Sequence, residues 1–186
     1  INKNMEGRIN GYAEITNKNK KLTVESNLQV DSLVYDNFYI GDIEEETHWN
    51  DDNYKIQAFL KISRKKQEML NAEGYYDPND KKSPLYLSAS LTGTPLAIVE
   101  PFSKSFISDL EGKANGKLEI TGQLTDPIIT GIVDVINGGF KLNYLNTHYI
   151  INDKITFSDK GIFVKDLKLI DENKNYATVN GGLVYD

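Results

Sequence analysis

Few residues of this sequence belong to the types that carry out proton transfer or nucleophilic attack. The two histidines, His48 and His148, are a hundred positions apart, and histidine is the side chain that most often acts as a general acid or base. The chain has no cysteine, nucleophile elbow, phosphate-binding loop, dinucleotide fingerprint or His-Glu-x-x-His motif. We therefore predict no catalytic residues and no enzymatic activity, with both histidines as surface or lightly packed side chains.

An acidic stretch from Gly41 to Asn53 offers oxygen ligands for a metal ion. Its carboxylates are those of Asp42, Glu44, Glu45, Glu46, Asp51 and Asp52. A calcium loop places its ligands at alternating positions and turns on a glycine, and this stretch does not have that spacing. We predict a solvated, loop-like segment without a metal ion, and we expect the protein to need no cofactor.

Three aromatic residues could stack on sugar rings, namely Trp49 and the pair Tyr75-Tyr76. Tyrosine occurs 11 times in the chain, and aromatic residues are common in β-strands because they pack well on a pleated surface. Packing is therefore the favoured interpretation. An extracellular β-sandwich that binds carbohydrate or a protein partner without catalysis stays open as the alternative function.

Composition narrows the classes of partner. The 186 residues carry a net charge of −6, and 39% of them are hydrophobic. A duplex-binding protein needs a basic face that displaces counterions, so we predict no nucleic-acid partner. No apolar run approaches the roughly 18 residues of a membrane-spanning helix, and the first residue is Ile1. We expect a piece of a larger protein, with any membrane anchor or signal outside it.

The secondary structure that the sequence predicts for most of the chain is β-strand. From Gly112 to Asp186 apolar and polar residues alternate, and a period of two places successive side chains on opposite faces of a strand. The sequence therefore predicts a mainly β fold, an elongated antiparallel meander with one apolar face. The predicted turns between its strands are 126–127, 137–139, 152–153, 159–161 and 171–175.

One segment departs from the alternation. Thr94 and Pro95 suit the start of a helix, and the apolar residues that follow recur at helical spacing. These apolar residues are Val99, Phe102, Phe106, Ile107 and Leu110. We predict one short amphipathic helix over 94–111.

The predicted helix separates two β-segments, at 1–93 and 112–186. The stretches that begin at Gly7 and Gly112 share glycine, isoleucine and threonine at matching offsets. This match indicates that 1–93 is a first, repeat-like unit, although two copies are fewer than the three that make a repeat architecture firm.

A series of ordered glycines and apolar residues follows the pattern Gly-x-x-x-Gly-x-ψ-x-ψ-x-Gly-x-ψ-x-x-Pro-x-ψ-x-Gly, where ψ is apolar. The matching positions are Gly112, Gly116, Leu118, Ile120, Gly122, Leu124, Pro127, Ile129 and Gly131. With the Tyr-Leu-Asn-x-x-Tyr motif at 144–149, the series resembles the carboxy-terminal region of TamB-like proteins of the Bacteroidetes type. TamB-like proteins belong to the AsmA-like group of bacterial envelope proteins.

The resemblance implies a fold and a function. Members of the family are anchored in the inner membrane and cross the periplasm as a long β-sheet, folded into a half-open, U-shaped, taco-like groove. It implies that the chain lies in the periplasm and carries phospholipid between the inner and outer membranes. It also implies a role in outer-membrane protein assembly with a barrel protein of the Omp85 type, and it implies no catalytic residues.

The alternation and the resemblance together predict the side chains that line the groove and contact phospholipid acyl chains. These are Leu118, Ile120, Val133, Val135, Phe140, Leu142, Tyr149, Ile151, Phe157, Val164, Leu167, Leu169, Val179 and Leu183. If the same rows instead met a second sheet or a helix, they would form an ordinary closed core, and this stays the alternative for the apolar face.

Overall fold

The computed structural model describes residues 4–18 and 21–184. The chain is mainly β, with 77% of residues in strands and 4% in helices. Twelve described strands form one antiparallel sheet. They are β1 (Met5–Lys18), β2 (Lys21–Tyr35), β3 (Phe38–Asn50), β4 (Lys55–Arg64), β5 (Gln67–Tyr76), β6 (Leu85–Pro95), β7 (Ile107–Gln123), β8 (Asp126–Leu142), β9 (Thr147–Ile151), β10 (Lys154–Ser158), β11 (Gly161–Asp171) and β12 (Tyr176–Val184).

Strand order follows the chain almost throughout. The order is β1-β2-β3-β4-β5-β6-β7-β8-β10-β11-β12, and β9 pairs with both β8 and β11. Apart from β9 and β10, consecutive strands pair with each other, so short turns can join them, and the predicted antiparallel β fold is confirmed. Turns at 159–160 and 171–175 fall where the sequence places them.

The acidic stretch predicted to be a loop is instead mostly strand, since β3 runs to Asn50. Its carboxylates alternate between faces, with Glu44 and Glu46 exposed and Glu45 between them partly buried. The charge is tolerated because the exposed side of a strand can be fully solvated. In addition, the Lys61 ammonium lies 2.8 Å from a Glu44 carboxylate oxygen across the β3–β4 pair. The prediction of a loop, which was based on the high density of charge, is therefore wrong for most of this stretch.

The predicted turn at 137–139 is also wrong, because β8 continues through it. At this point β8 changes partner, from β10 up to Asp134 to β9 from Gly138. Asn137 takes a positive φ of 48°, and its backbone N–H donates to the Asn152 side-chain oxygen. The Asn-Gly-Gly sequence thus provides a break within a strand rather than a hairpin. The turn predicted at 126–127 lies slightly earlier, at residues 124–125.

The predicted amphipathic helix over 94–111 is not confirmed. Helical structure is limited to a 3-10 turn at Leu96–Val99 and one α-turn, α1, at Glu100–Ser103. Val99 is 49% exposed and Phe106 is 73% exposed, so the helical spacing does not mark a buried stripe. The Phe102 side chain lies outside the described ones. Strand pairing takes over at Ile107.

The chain divides into two compact units. Unit 1 is Ile1–Ser90 with Glu119–Ile128, and unit 2 is Leu91–Leu118 with Ile129–Asp186. The predicted division at 94–111 and the repeat-like relation of the two segments stay predictions. Among the described residues, no helix has both the length and the apolar character that crossing a membrane requires.

Asp171 ends β11 and organises the turn into β12. Its carboxylate accepts the backbone N–H groups of Asn173 and Asn175 at 2.9 and 2.8 Å, and the Asn175 side-chain amide at 3.0 Å. These hydrogen bonds, led by that of the Asn175 side chain, hold the pKa of Asp171 below its ordinary value. A depressed pKa stabilises the fold above the ordinary value, and the contribution is lost as the pH falls through the lower, folded value.

We predict that Asp171→Asn lowers stability at pH 7 and that its deficit shrinks progressively as the pH falls below about 4, through the lowered pKa of the folded carboxylate. Urea unfolding at pH 7 and at pH 3 measures this difference. Glu172→Gln is the matched control, because no hydrogen bond involves the Glu172 side chain in the described structure. A deficit of Asp171→Asn that stays constant with pH would contradict the assignment.

Candidate functional site

The strand register of unit 2 places its alternating apolar residues on one side of the sheet. Directly opposed residues of antiparallel strands project to the same face. Such pairs are Val133 with Ile155, Phe140 with Tyr149, and Leu167 with Val179. The rings of Phe140 and Tyr149 touch, with centroids 5.8 Å apart. Unit 2 therefore has a continuous apolar face, as the alternation predicts.

The centre of this face is covered by the unit's own side chains. Ala114, Val133, Val135, Ile151 and Leu167 form a buried cluster, each 4–6% exposed. The apolar side chains around the cluster are only partly buried; they are Leu91, Leu96, Leu118, Phe140, Ile155, Phe157, Val164, Leu169 and Val179. The face is thus closed in the middle and accessible around it.

Ten of the fourteen predicted lining residues belong to this cluster or pack against it. The other four take different places. Tyr149 lies beside Phe140, and Leu142 is partly buried opposite Thr147. Ile120 belongs to the part of β7 in unit 1. Leu183, in the last strand, is 73% exposed.

Unit 1 also has an apolar face, and it is covered even less. Its buried apolar side chains are Ile62, Met69, Leu85 and Ala89. Ile43 pairs with Ile62 across β3 and β4, and Ile62 in turn pairs with Leu70 of β5, so an apolar row crosses three strands. Among the described residues of either unit, no large side chain is less than 2% exposed.

Glu45 interrupts the apolar face of unit 1. It lies between Leu28 of β2 and Leu60 of β4, directly opposite both. Ser26 donates to the Glu45 carboxylate at 2.8 and 3.0 Å, and Thr47 donates to it at 2.5 Å. The two hydroxyls partly replace the water that the carboxylate loses by lying there. Sequence reasoning counted Glu45 with its acidic neighbours, although strand parity separates it from them.

The polar face of unit 1 carries a hollow that the sequence did not indicate. The hollow has a volume of about 530 Å³, and the side chains around it include Glu46, His48, Gln57, Phe59, Glu73, Tyr75, Tyr86 and Ser88. Tyr75 and Tyr86 stack, with ring centroids 5.5 Å apart. The signal that would have found the hollow is the placement of large aromatic residues at positions where the alternation calls for polar ones.

The other aromatic candidates lie on the opposite side from Tyr75. Trp49 is directly opposite Ile56, which is directly opposite Tyr76, so Trp49 and Tyr76 share the apolar face. The Trp49 indole N–H donates to an Asp51 carboxylate oxygen at 3.0 Å. The three aromatic residues that could stack on sugar therefore form no common platform, and only Tyr75 joins the hollow.

The residues that could do acid–base chemistry are not brought together. His148 Nε2 lies 3.6 Å from an Asp109 carboxylate oxygen, and both side chains are exposed, while His48 borders the hollow in unit 1. In the described part of the chain, no group of three or more histidine and carboxylate side chains is arranged to hold a metal ion.

Comparison with known proteins identifies no relative: no family model matches the chain, and neither a curated protein nor a solved structure is significantly similar to it. The two apolar faces and the hollow are therefore the features from which a function is inferred.

We predict that Val135→Asp lowers the free energy of unfolding by about 3 kcal/mol or more, because it buries a carboxylate without a partner. Ile132→Asp is the matched control in the same strand. Ile132 is 52% exposed and lies on the opposite face, so its replacement should cost less than about 1 kcal/mol. Chemical denaturation measures both. Equal losses would contradict the assigned faces.

Proposed function

We propose that this chain is part of a periplasmic protein, anchored in the inner membrane outside the present sequence, whose apolar sheet faces carry phospholipid between the two membranes. In this proposal the sheet forms a half-open, U-shaped groove. Acyl chains lie against the apolar side chains, and headgroups stay in water along the open side. The same protein supports outer-membrane protein assembly together with a barrel protein.

One observation carries the proposal: the chain's own side chains cover its apolar faces only in part. Unit 1 buries four apolar side chains and unit 2 buries five, although the alternation supplies many more apolar residues to each face. Partly covered apolar surface of this kind marks a place where another apolar molecule binds. Acyl chains suit it, because they need apolar contact and no fixed pattern of hydrogen bonds.

The free energy of transfer favours a lipid that moves along the sheet over one that is held at a fixed site. Moving an acyl chain from water to an apolar surface stabilises it by about 0.8 kcal/mol per CH₂ group. The same chain has this stabilisation in a bilayer, so its transfer between a bilayer and the sheet is nearly balanced. A shallow apolar face without a deep pocket therefore lets lipid enter and leave, as carriage between membranes requires.

We predict that a photo-crosslinking amino acid at Leu142 captures phospholipid in cells, whereas the same group at Lys141 does not. Leu142 and Lys141 are neighbours in β8 and pair with Thr147 and His148 on opposite faces, so the two variants differ in the face they probe. Mass spectrometry of the crosslinked products identifies the lipid. Equal labelling at both positions would contradict lipid binding by the apolar face.

A second prediction concerns Glu45, whose charge opposes apolar contact in the middle of the unit 1 face. Glu45→Leu should tighten the binding of a fluorescent fatty acid to the chain by about fivefold, since it removes a solvated charge and adds apolar surface. Glu46→Leu is the matched control, because strand alternation places the same new side chain on the other face.

The two leucine variants separate lipid binding from a general rise in hydrophobicity. If Glu46→Leu tightens fatty-acid binding as much as Glu45→Leu does, the probe binds any added leucine and the apolar face of unit 1 has no special role. Circular dichroism of both variants checks that the strands remain.

A further inference from the structure

Three aromatic side chains lie on the polar face of unit 1, on the opposite side of the sheet from its buried apolar residues. Phe59, Tyr75 and Tyr86 all border the hollow on this face. Gln57 and Tyr75 are directly opposite each other, as are Phe59 and Glu73, so aromatic and polar side chains alternate around it. The rings of Tyr75 and Tyr86 are inclined by only 30°. The two rings therefore pack against each other, and each leaves only its outer face for a ligand.

The polar side chains around the hollow are not engaged by the protein. Those of Glu46, His48, Gln57, Glu73 and Ser88 make no hydrogen bond within the described residues. On the same face the Lys61 ammonium and the Glu44 carboxylate are paired at 2.8 Å. The hollow therefore combines apolar ring surface with hydrogen-bonding groups that are free for a ligand.

These groups suit one class of ligand. A pyranose has apolar C–H faces that pack on aromatic rings, and a rim of hydroxyls that donate to carboxylates and exchange hydrogen bonds with amide and hydroxyl groups. Two carboxylates disfavour an anionic ligand. The Lys55 ammonium lies 3.6 Å from the Tyr75 ring centroid, so Tyr75 is covered by Lys55 from β4 and by Tyr86 from β6. The rings that remain to pack on a sugar are those of Tyr86 and Phe59. The volume of about 530 Å³ lies in the usual range of small-molecule sites.

We propose that this hollow binds the neutral pyranose units of a glycan, on the face of unit 1 opposite its apolar side. The site is independent of the proposed lipid function, because it uses residues of the other face.

The test is a titration of the isotope-labelled 186-residue chain with cellotriose, maltotriose or chitotriose, followed by NMR. We expect at least one of these neutral sugars to shift the resonances of Gln57 and Tyr75 with a Kd of about 1 mM. Tyr86→Ala should weaken this binding about tenfold, while Tyr86→Phe keeps the ring and stays within about twofold of the wild type. Tyr12→Ala, also on the polar face but outside the hollow, should have no effect.

Several outcomes would overturn the proposal. One is the absence of shifts around the hollow with all three sugars at about 10 mM. Another is tighter binding of trigalacturonate, an anionic trisaccharide, than of any neutral sugar. Gln57→Ala removes hydrogen bonds without removing a ring, so it should weaken binding even if Tyr86→Ala proves unfolded, and unchanged affinity in a folded Gln57→Ala would also contradict the site. Lipid crosslinking at Leu142 is unaffected by any of these results.

Discussion

The antiparallel pairing of nearly every strand with its sequence neighbour is the constraint on which the rest of this structure depends; β9 and β10 are the exception, since both pair with β8 and β11 and not with each other. A meander satisfies the backbone hydrogen bonds of each strand without bringing distant parts of the chain together. Alternation then gives each unit one apolar face with its buried side chains and one more solvated face, on which unit 2 also exposes Ile132, Ile150 and Ile170. Because the helical segment amounts to two turns, each unit has few residues that are not in the sheet, and they cannot cover all of its apolar face.

The two units differ in what lies in the middle of the apolar face. In unit 2 the cluster around Val135 closes the centre of the face, and the exposed apolar surface lies around it. In unit 1 the middle of the face contains the Glu45 carboxylate with its two hydroxyl partners, so the apolar rows lie on either side of a polar point. An acyl chain meets an interruption in unit 1 that unit 2 does not have. The proposed lipid contact is therefore continuous around the unit 2 cluster and divided in unit 1.

Strand structure was predictable from sequence because alternation is a local property. The prediction of strands failed where two local signals disagreed. From Gly41 to Asn50 the acidic composition suggested a loop, but the period of two continued, and a strand with a solvated face accommodates the charge. At Asn137 the Asn-Gly-Gly sequence has the chemistry of a hairpin turn, yet the chain uses it to change partners within β8. The choice depends on where β9 and β10 lie, which no window around Asn137 contains.

Close approach of neighbouring strands explains the glycine at the start of the ordered series. Gly112 has a φ of 88°, and a Cβ there would lie 2.3 Å from the Asn137 carbonyl oxygen, so a side chain would force the strands apart. The hollow, in contrast, could not be located from any single segment of the sequence. Tyr75 and Tyr86 are eleven positions apart, and only the antiparallel return of the chain brings their rings together.

Opposite faces of one sheet can serve different ligands because the ligands make different demands. An acyl chain is flexible and apolar, so a broad surface without fixed hydrogen bonds binds it weakly and lets it move. A sugar ring is rigid and presents hydroxyls in fixed directions, so it needs aromatic and polar groups held at set positions. Such positions are found where β3, β4, β5 and β6 hold the side chains of the hollow in register, on the side of unit 1 from which the alternation excludes the apolar rows.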